Sequence, residues 1–291
     1  MTNKINGIIV LDKPKGKTSH DMVYFMRRLT GIKKIGHTGT LDPDATGVLP
    51  MCIGNATRAA DMLTLSDKRY RAKFVLGITT DTQDTSGSVI EKRAVNASDA
   101  EITDAINSFV GEYEQIPPMY SAVKQNGKKL YELARAGKTV ERKARLVNIK
   151  SIDIIKVGAE CEIDVLCSKG TYIRTLCADI GEKLGCGAAV SELRRTMTGA
   201  FSTDESYTCS ELERLAAEER LSDAVISVDM MFPDYEQIRL TENQTRSVCN
   251  GVIMTYHKPD GLYRVYDNNG RFICIGRIKD EKIKTEKSFW M

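Results

Sequence analysis

Strand-like and helix-like runs are interleaved along this chain at irregular intervals, and that irregularity narrows its fold more than any single residue does. Residues 7–11 are apolar and read as a strand, ending in the turn Asp12-Lys13-Pro14-Lys15-Gly16. A helix follows, with Ser19 as its N-cap, Met22, Met26 and Leu29 at helical spacing, and Gly31 at its C-terminal cap. Runs rich in β-branched residues at 73–78, 88–91, 152–157 and 162–166 read as strands. Helices fall at 98–109, where Ser98 and Glu101 have capping-box spacing, and at 173–184. A doubly wound sheet needs a regular β-α-β alternation, which is missing, so the expected class is α+β. There is no internal repeat. From about Tyr235 the texture changes to short alternating runs, with Asn268-Asn269-Gly270 between 262–266 and 272–275, the signal of a hairpin in a small β-domain.

The chain has 291 residues, of which 42% are hydrophobic and 28% charged, so it can bury a sizeable core and ordinary globular folding is expected. No run reaches transmembrane length, and residues 1–11 lack the apolar stretch and cleavage site of a secretory signal, so the expected location is the cytoplasm. Eight cysteines without a C-x-x-C pair read as free, mostly buried thiols. The histidines His20, His37 and His257 are too dispersed to suggest a metal site, and no metal is expected. Gly16-Lys17-Thr18 lacks the glycine five residues earlier that a phosphate loop needs, since Leu11 stands there. Gly185-Cys186-Gly187 lacks the third glycine of a dinucleotide fingerprint, that place being Val190. Neither ATP nor NAD is supported, and no cofactor is expected.

Net charge is only +3, yet between Lys124 and Arg145 eight basic residues face two acidic ones, a local +6. Such density favours a polyanion, with Tyr120 and Tyr131 placed to stack on bases. The polar, glycine-bearing segment Gly36-His37-Thr38-Gly39-Thr40-Leu41-Asp42-Pro43-Asp44-Ala45-Thr46-Gly47 runs into apolar sequence. Pro43 keeps Asp42 out of helical torsions, so that carboxylate sits on stiff, extended backbone suited to a nucleophile. Standing alone, Asp42-Pro43 would do no more than initiate a turn.

Five segments in order decide between those readings. They are 7–14 running into Thr18-Ser19; 36–49; Tyr70 through Leu76-Gly77 with Thr80-Asp81-Thr82 and Asp84; Pro117-Pro118-Met119-Tyr120-Ser121-Ala122-Val123-Lys124; and Gly170-Thr171-Tyr172-Ile173-Arg174-Thr175-Leu176 with Leu193-Arg194-Arg195-Thr196. Together they resemble the TruB family of tRNA pseudouridine synthases, which isomerise the T-loop uridine 55 of tRNA, and the match spans nearly the whole chain. Ala189 departs from the histidine of many members.

The resemblance implies that Asp42 is the nucleophile, acting through the sugar, the pyrimidine ring or a glycal, and that Arg174 is the active-site arginine that keeps it ionised. It places Tyr70 against the target base, for stacking and proton transfer. Tyr172 and Leu193 correspond to pocket residues. The target must be turned out of its stack, and His37 either contacts the displaced nucleotide or simply hydrogen-bonds within its loop. Asp84 resembles an RNA-contacting acid. Lys128, Lys129, Arg142 and Lys143 lie in the segment that corresponds to a mobile RNA-gripping insertion, at about 118–146.

The implied architecture is a catalytic domain over 1–233, with a mixed, largely antiparallel sheet and flanking helices, and a PUA-like RNA-binding β-domain over 234–291. The implied partner is the T-arm of tRNA, with no membrane, guide RNA or obligatory protein partner, the chain acting as a monomer. The competing reading is a tRNA-binding or RNA-folding protein that keeps this fold without catalysis; Asp42, Tyr70 and Arg174 all being present argues against it.

Overall fold

A computed structural model of the protein describes residues 5–125 and 127–290. The chain forms two compact units. One comprises the described residues of Met1–Pro43 with Gly47–Leu65 and Thr198–Met291, the other Asp44–Thr46 with Ser66–Met197.

The first unit opens with strand β1 (Gly7–Lys13), in which Ile8, Ile9, Val10 and Leu11 are fully buried. Helix α1 (Ser19–Thr30) follows, but its N-cap is Thr18, not Ser19. The Thr18 side chain accepts from the Asp21 N–H, and the Asp21 carboxylate takes the Thr18 N–H at 2.8 Å, a complete capping box. This corrects the sequence expectation and leaves the Ser19 hydroxyl available for other use. Gly31 ends the helix as expected, at φ 69°, where glycine avoids the left-handed penalty. Strands β2 (Ile35–His37) and β3 (Thr46–Ile53) pair antiparallel, and β3 also pairs antiparallel with β1 from Gly7↔Ile53 to Lys13↔Gly47. A short helix, α2 (Ala60–Thr64), ends this stretch.

The second unit begins with strand β4 (Lys68–Leu76) and the hairpin β5 (Ile78–Thr80) and β6 (Val89–Lys92). Helix α3 (Asp99–Asn107) carries the expected Ser98–Glu101 capping box. Strand β7 (Gly111–Gln115), the tiny hairpin β8 (Lys124–Gln125) and β9 (Lys128–Lys129), and helix α4 (Leu130–Arg135) follow. Strands β10 (Arg145–Lys156) and β11 (Glu160–Cys167), helix α5 (Ile173–Lys183) and strand β12 (Ala188–Thr198) complete it. Its sheet runs in the order β12-β4-β11-β10-β7, antiparallel from β4 through β7.

Strand β4 starts five residues earlier than its apolar content predicts. Its outward face is charged and matched across the ladder: Arg69 reaches Asp164 and Asp153, and Arg71 approaches Glu162 at 3.5 Å. On the inward face Tyr70 packs against the core that includes fully buried Ala72 and Phe74, with Ile163, Val165, Ile173, Leu176 and Ile180.

Back in the first unit, β13 (Phe201–Ser202) and α6 (Cys209–Ala217) precede the C-terminal sheet. That sheet contains β14 (Gln237–Arg239), helix α7 (Glu242–Cys249), β15 (Met254–Thr255), β16 (Gly261–Tyr266), β17 (Phe272–Lys279) and β18 (Lys282–Ser288), with strand order β14-β16-β17-β18-β15. The predicted β16–β17 hairpin is present, its turn held by the Asp267 carboxylate accepting the N–H groups of Asn269 and Arg271. Helix α7 was not foreseen, although Thr241 and Gln244 form a capping box there. The sheet has its own core of Ile238, Leu240, Val248, Val265 and Ile283. It also joins Ile8, Val10, Val48, Phe232 and Phe289 in a shared cluster, and the Asn55 amide donates to the Trp290 carbonyl at 3.2 Å.

All eight cysteines are free, six of them buried. No helix among the described residues is long and apolar enough to cross a membrane.

Gly181 is where helix α5 closes on the chain leading into β12: an added Cβ would lie 2.2 Å from the Gly187 carbonyl carbon and 2.3 Å from the Ala188 nitrogen. Alanine normally favours a helix by up to about 1 kcal/mol over glycine, but backbone atoms this close cannot yield like a flexible side chain. Gly181→Ala is therefore expected to destabilise the fold by about 1–3 kcal/mol, measured by urea unfolding.

Candidate active site

Asp42 sits in the loop between β2 and β3, half-buried, between buried Leu41 and exposed Pro43. The peptides on either side of it are fixed by different hands. The Ser19 hydroxyl, 2% exposed, accepts the Leu41 N–H at 2.8 Å and donates to the Leu41 carbonyl at 3.2 Å. On the other flank the Pro43 carbonyl accepts from Lys13 Nζ at 3.0 Å and from the Gly16 N–H at 2.9 Å. Lys13 is fully buried, and its ammonium also donates to the carbonyls of Pro14 at 2.9 Å and Lys17 at 2.6 Å. An ammonium withdrawn from water must find such acceptors, so the charge itself draws the turn at 14–17 and the Asp42 loop together. His37, at the end of β2, is half-buried, and its Nδ1 faces the Gly39 N–H at 3.4 Å.

In the second unit, Arg174 occupies the first turn of α5 and is 5% exposed. Nη1 donates to the Thr82 carbonyl at 2.6 Å and Nη2 to the Tyr120 carbonyl at 2.8 Å, so the guanidinium ties α5 to two separate loops. Asp84 Oδ2 lies 3.6 Å from Arg174 Nη1. The other Asp84 oxygen accepts from the Thr82 hydroxyl at 2.8 Å and from the Ser86 hydroxyl and N–H at 2.6 and 3.1 Å, so this carboxylate organises its own turn. Tyr172 is the residue before α5, and its backbone is held by Gln115, which accepts its N–H at 2.8 Å and donates to its carbonyl at 3.0 Å. Tyr70 and Leu193 both pack half-buried against the same core. Arg174 and Asp84 thus meet at the Thr82 turn, and Tyr172 leads into the helix that carries Arg174.

Two further cations are buried on this sheet: Lys68, 7% exposed, two residues before Tyr70 on β4, and Arg195, 1% exposed, on β12. Burial, with Arg195 as the next cause, brings the Lys68 ammonium down to about 8. Sequence reasoning missed these two, as it missed the burial of Lys13 and the use of Gln115. Arg195 and Lys13 both stood inside the five ordered segments, Lys13 also being read as part of a turn, and neither was read as buried.

The basic insertion behaves differently. Lys128 and Lys143 are exposed, Lys129 and Arg142 half-buried. Arg142 Nη1 donates to the Pro117 carbonyl at 3.0 Å. A groove of about 320 Å³ is lined by Lys124, Arg142, Lys143 and Arg145, with Glu141 as its acidic member. The Tyr131 ring, expected to be open for stacking, has Lys129 at 5.4 Å and Arg135 at 5.5 Å from its centroid. Among the described residues, no three His, Cys, Asp or Glu side chains converge as metal ligands.

Residues 27–173 match the TruB family pseudouridylate synthase N-terminal domain, 174–232 the tRNA pseudouridylate synthase B C-terminal domain, and 237–287 the pseudouridine synthase II TruB C-terminal region. The tRNA pseudouridine synthase B of Alkaliphilus oremlandii is 45% identical, covering 96% of this chain and all of the relative. That of Ectopseudomonas mendocina is also 45% identical, covering 96% of this chain and 93% of the relative. Among solved structures, a chain of a Cbf5–Nop10–Gar1 complex superposes with a TM-score of 0.75 at 26% identity, over 98% of this chain and 85% of that one.

Lys68 yields a signed pH dependence. Its ammonium is protonated in the unfolded chain up to about 10.5 but only up to about 8 in the fold. Between those values the unfolded state binds more protons, so this group makes stability rise with pH. Below about 8 both states are charged and burial remains a constant penalty, of about 3 kcal/mol at most. Unfolding free energies of wild type and Lys68→Met, measured from pH 7.5 to 10.5, are expected to diverge in slope, the wild type gaining relative to the variant.

Proposed function

The chain belongs to the TruB family of pseudouridylate synthases, and from that membership we propose the residues that carry its chemistry and the way it holds its RNA. It forms pseudouridine in tRNA, and the position that fits the family is uridine 55 of the T-loop. The observation that carries the reading is full-length identity near 45% to tRNA pseudouridine synthases B, in a chain whose Asp42 stands on a loop clamped from both sides.

Asp42 is the nucleophile. The isomerisation breaks the bond from ribose to the uracil nitrogen and remakes it to a ring carbon, with no redox step, and a carboxylate that holds the system while the base turns is sufficient. Arg174 supplies the positive charge; a guanidinium keeps its proton even when buried, as a lysine does not. Tyr70 stacks on the displaced base and serves in proton transfer, while Tyr172 and Leu193 form the walls against which the ring rests. His37 contacts the displaced nucleotide. Asp84 acts through Arg174 and the 80–86 turn.

Residues 1–233 form the catalytic domain, with the basic insertion at about 118–146 gripping phosphates through Lys128, Lys129, Arg142 and Lys143. Residues 234–291 form an RNA-binding β-domain that meets the tRNA away from the target. Exposed Lys279, Lys282 and Lys284 support this, the first two paired across the β17–β18 hairpin. The enzyme works in the cytoplasm as a monomer, without metal, cofactor, guide RNA or obligatory protein partner.

Asp42→Asn is expected to abolish pseudouridine formation on a tRNA transcript, read by carbodiimide mapping, while affinity in a filter-binding titration stays within about tenfold, or roughly 1.4 kcal/mol. Replacing Lys128, Lys129, Arg142 and Lys143 together by alanine is expected to weaken binding and lower the slope of log K against log salt by up to about 3; an unchanged slope would remove the insertion from the interface.

A further inference from the structure

We propose that Gln115 is a positioning residue for the reaction, holding the start of α5 so that Tyr172 and Arg174 are fixed before RNA arrives. This rests on the functional reading above and goes beyond it, since Gln115 lies outside the motifs that carry the family resemblance.

Gln115 is the last residue of β7 and is 1% exposed. A side-chain amide buried so deeply must have both of its polar ends matched. Here both are spent on one peptide pair: Oε1 accepts the Tyr172 N–H at 2.8 Å, and Nε2 donates to the Tyr172 carbonyl at 3.0 Å. The half-buried Tyr113, on the same strand, has its hydroxyl closing on the amide nitrogen. The side chain thus behaves like one more residue of a β ladder, built against the residue that precedes α5.

That position controls two proposed site residues. Tyr172 adopts φ −101° and ψ 107°, extended torsions that no capping side chain of its own stabilises. Its carbonyl also accepts the Leu176 N–H at 3.0 Å, the first hydrogen bond of the helix. Fixing this peptide fixes both where the Tyr172 side chain leaves the backbone and where α5 begins. Arg174, two residues on, then spans to the Thr82 and Tyr120 carbonyls. The Gln115 bracket and the Arg174 bonds are therefore successive fastenings of one helix start, and a shift at the first is passed to the second. Only an amide provides a donor and an acceptor in this geometry; a carboxylate provides both only while protonated.

The test uses the full-length protein and a tRNA transcript, with single-turnover rates, tRNA affinity and thermal unfolding measured in parallel. Gln115→Met keeps the length of the side chain and removes both hydrogen bonds. It is expected to slow pseudouridine formation by about 10- to 100-fold, as displaced catalytic groups do, while affinity changes less than threefold. Gln115→Glu is measured from pH 5.5 to 8.5 against wild type at each pH. Its relative rate is expected to be highest at the acid end, where the carboxyl can still donate to Tyr172, and to fall by tenfold or more as it ionises. If Gln115→Met does not fold, the Gln115→Glu profile alone decides. A methionine variant with the wild-type rate, or a glutamate variant whose relative rate is flat with pH, overturns the proposal. A wild-type protein that makes no pseudouridine would instead overturn the functional reading.

Discussion

A lysine with no access to water holds the loop on which the proposed nucleophile stands. Lys13 satisfies its ammonium with three backbone carbonyls, one of them that of Pro43, directly after Asp42. Hydrogen bonds from a charged donor are about twice as strong as neutral ones, and a buried ammonium cannot exchange them for water. Remove the charge and the carbonyls of Pro14, Lys17 and Pro43 lose a common partner; remove Ser19 and Leu41 loses both ends of its peptide match. The stiffness that Pro43 gives one torsion is thus extended to the whole loop by side chains more than twenty residues away in sequence.

The second unit repeats this device with other chemistry. Arg174 is buried against the Thr82 and Tyr120 carbonyls, and Gln115 against the backbone of Tyr172. In both units, polar side chains taken out of water are matched to main-chain groups of loops. Loops are otherwise the mobile parts of a fold, and catalytic groups must be held to within about 1 Å. Burying a donor against main-chain acceptors fixes a loop much as a ladder fixes a strand. Asp84 fits the same pattern: its carboxylate is consumed by Thr82 and Ser86 on one side and faces Arg174 on the other.

What the sequence disclosed and what it hid follow from range. Local signals were legible: the Gly31 cap, the Ser98–Glu101 capping box and the Asn-Gly hairpin near 268–270 all depend on neighbours within a few residues. Strand β4 was begun too late because its charged outer face, matched by Asp153, Glu162 and Asp164 on other strands, does not read as strand from apolar content. Helix α7 was hidden by the β texture around it, although its Thr241-x-x-Gln244 signature is local. Asp42, Tyr70 and Arg174 were reached through ordered motifs, not through composition. Lys13, Lys68, Arg195 and Gln115 escaped because a charged or amide residue is taken as exposed unless its partners are known. For Lys13 and Gln115 those partners include main-chain carbonyls and an N–H group, which carry no sequence of their own.

The basic insertion obeys the opposite logic. Several of its cations remain in water, and its aromatic ring at Tyr131 is flanked by Lys129 and Arg135 of the same segment. Exposed lysines contribute little to folding, because solvent screens them and their side chains keep their rotamer freedom. Their worth appears only when a polyphosphate backbone arrives and counterions are released. Turning a nucleotide out of its stack costs a few kcal/mol, and the groups that hold Asp42 and Arg174 cannot meet that cost, since their hydrogen bonds are already made to the protein. On the proposed reading that energy comes from the exposed cations of the insertion, such as Lys128 and Lys143. In that same reading the buried cations fix the chemistry and the hydrated cations of the local +6 take hold of the RNA, which separates precision from affinity.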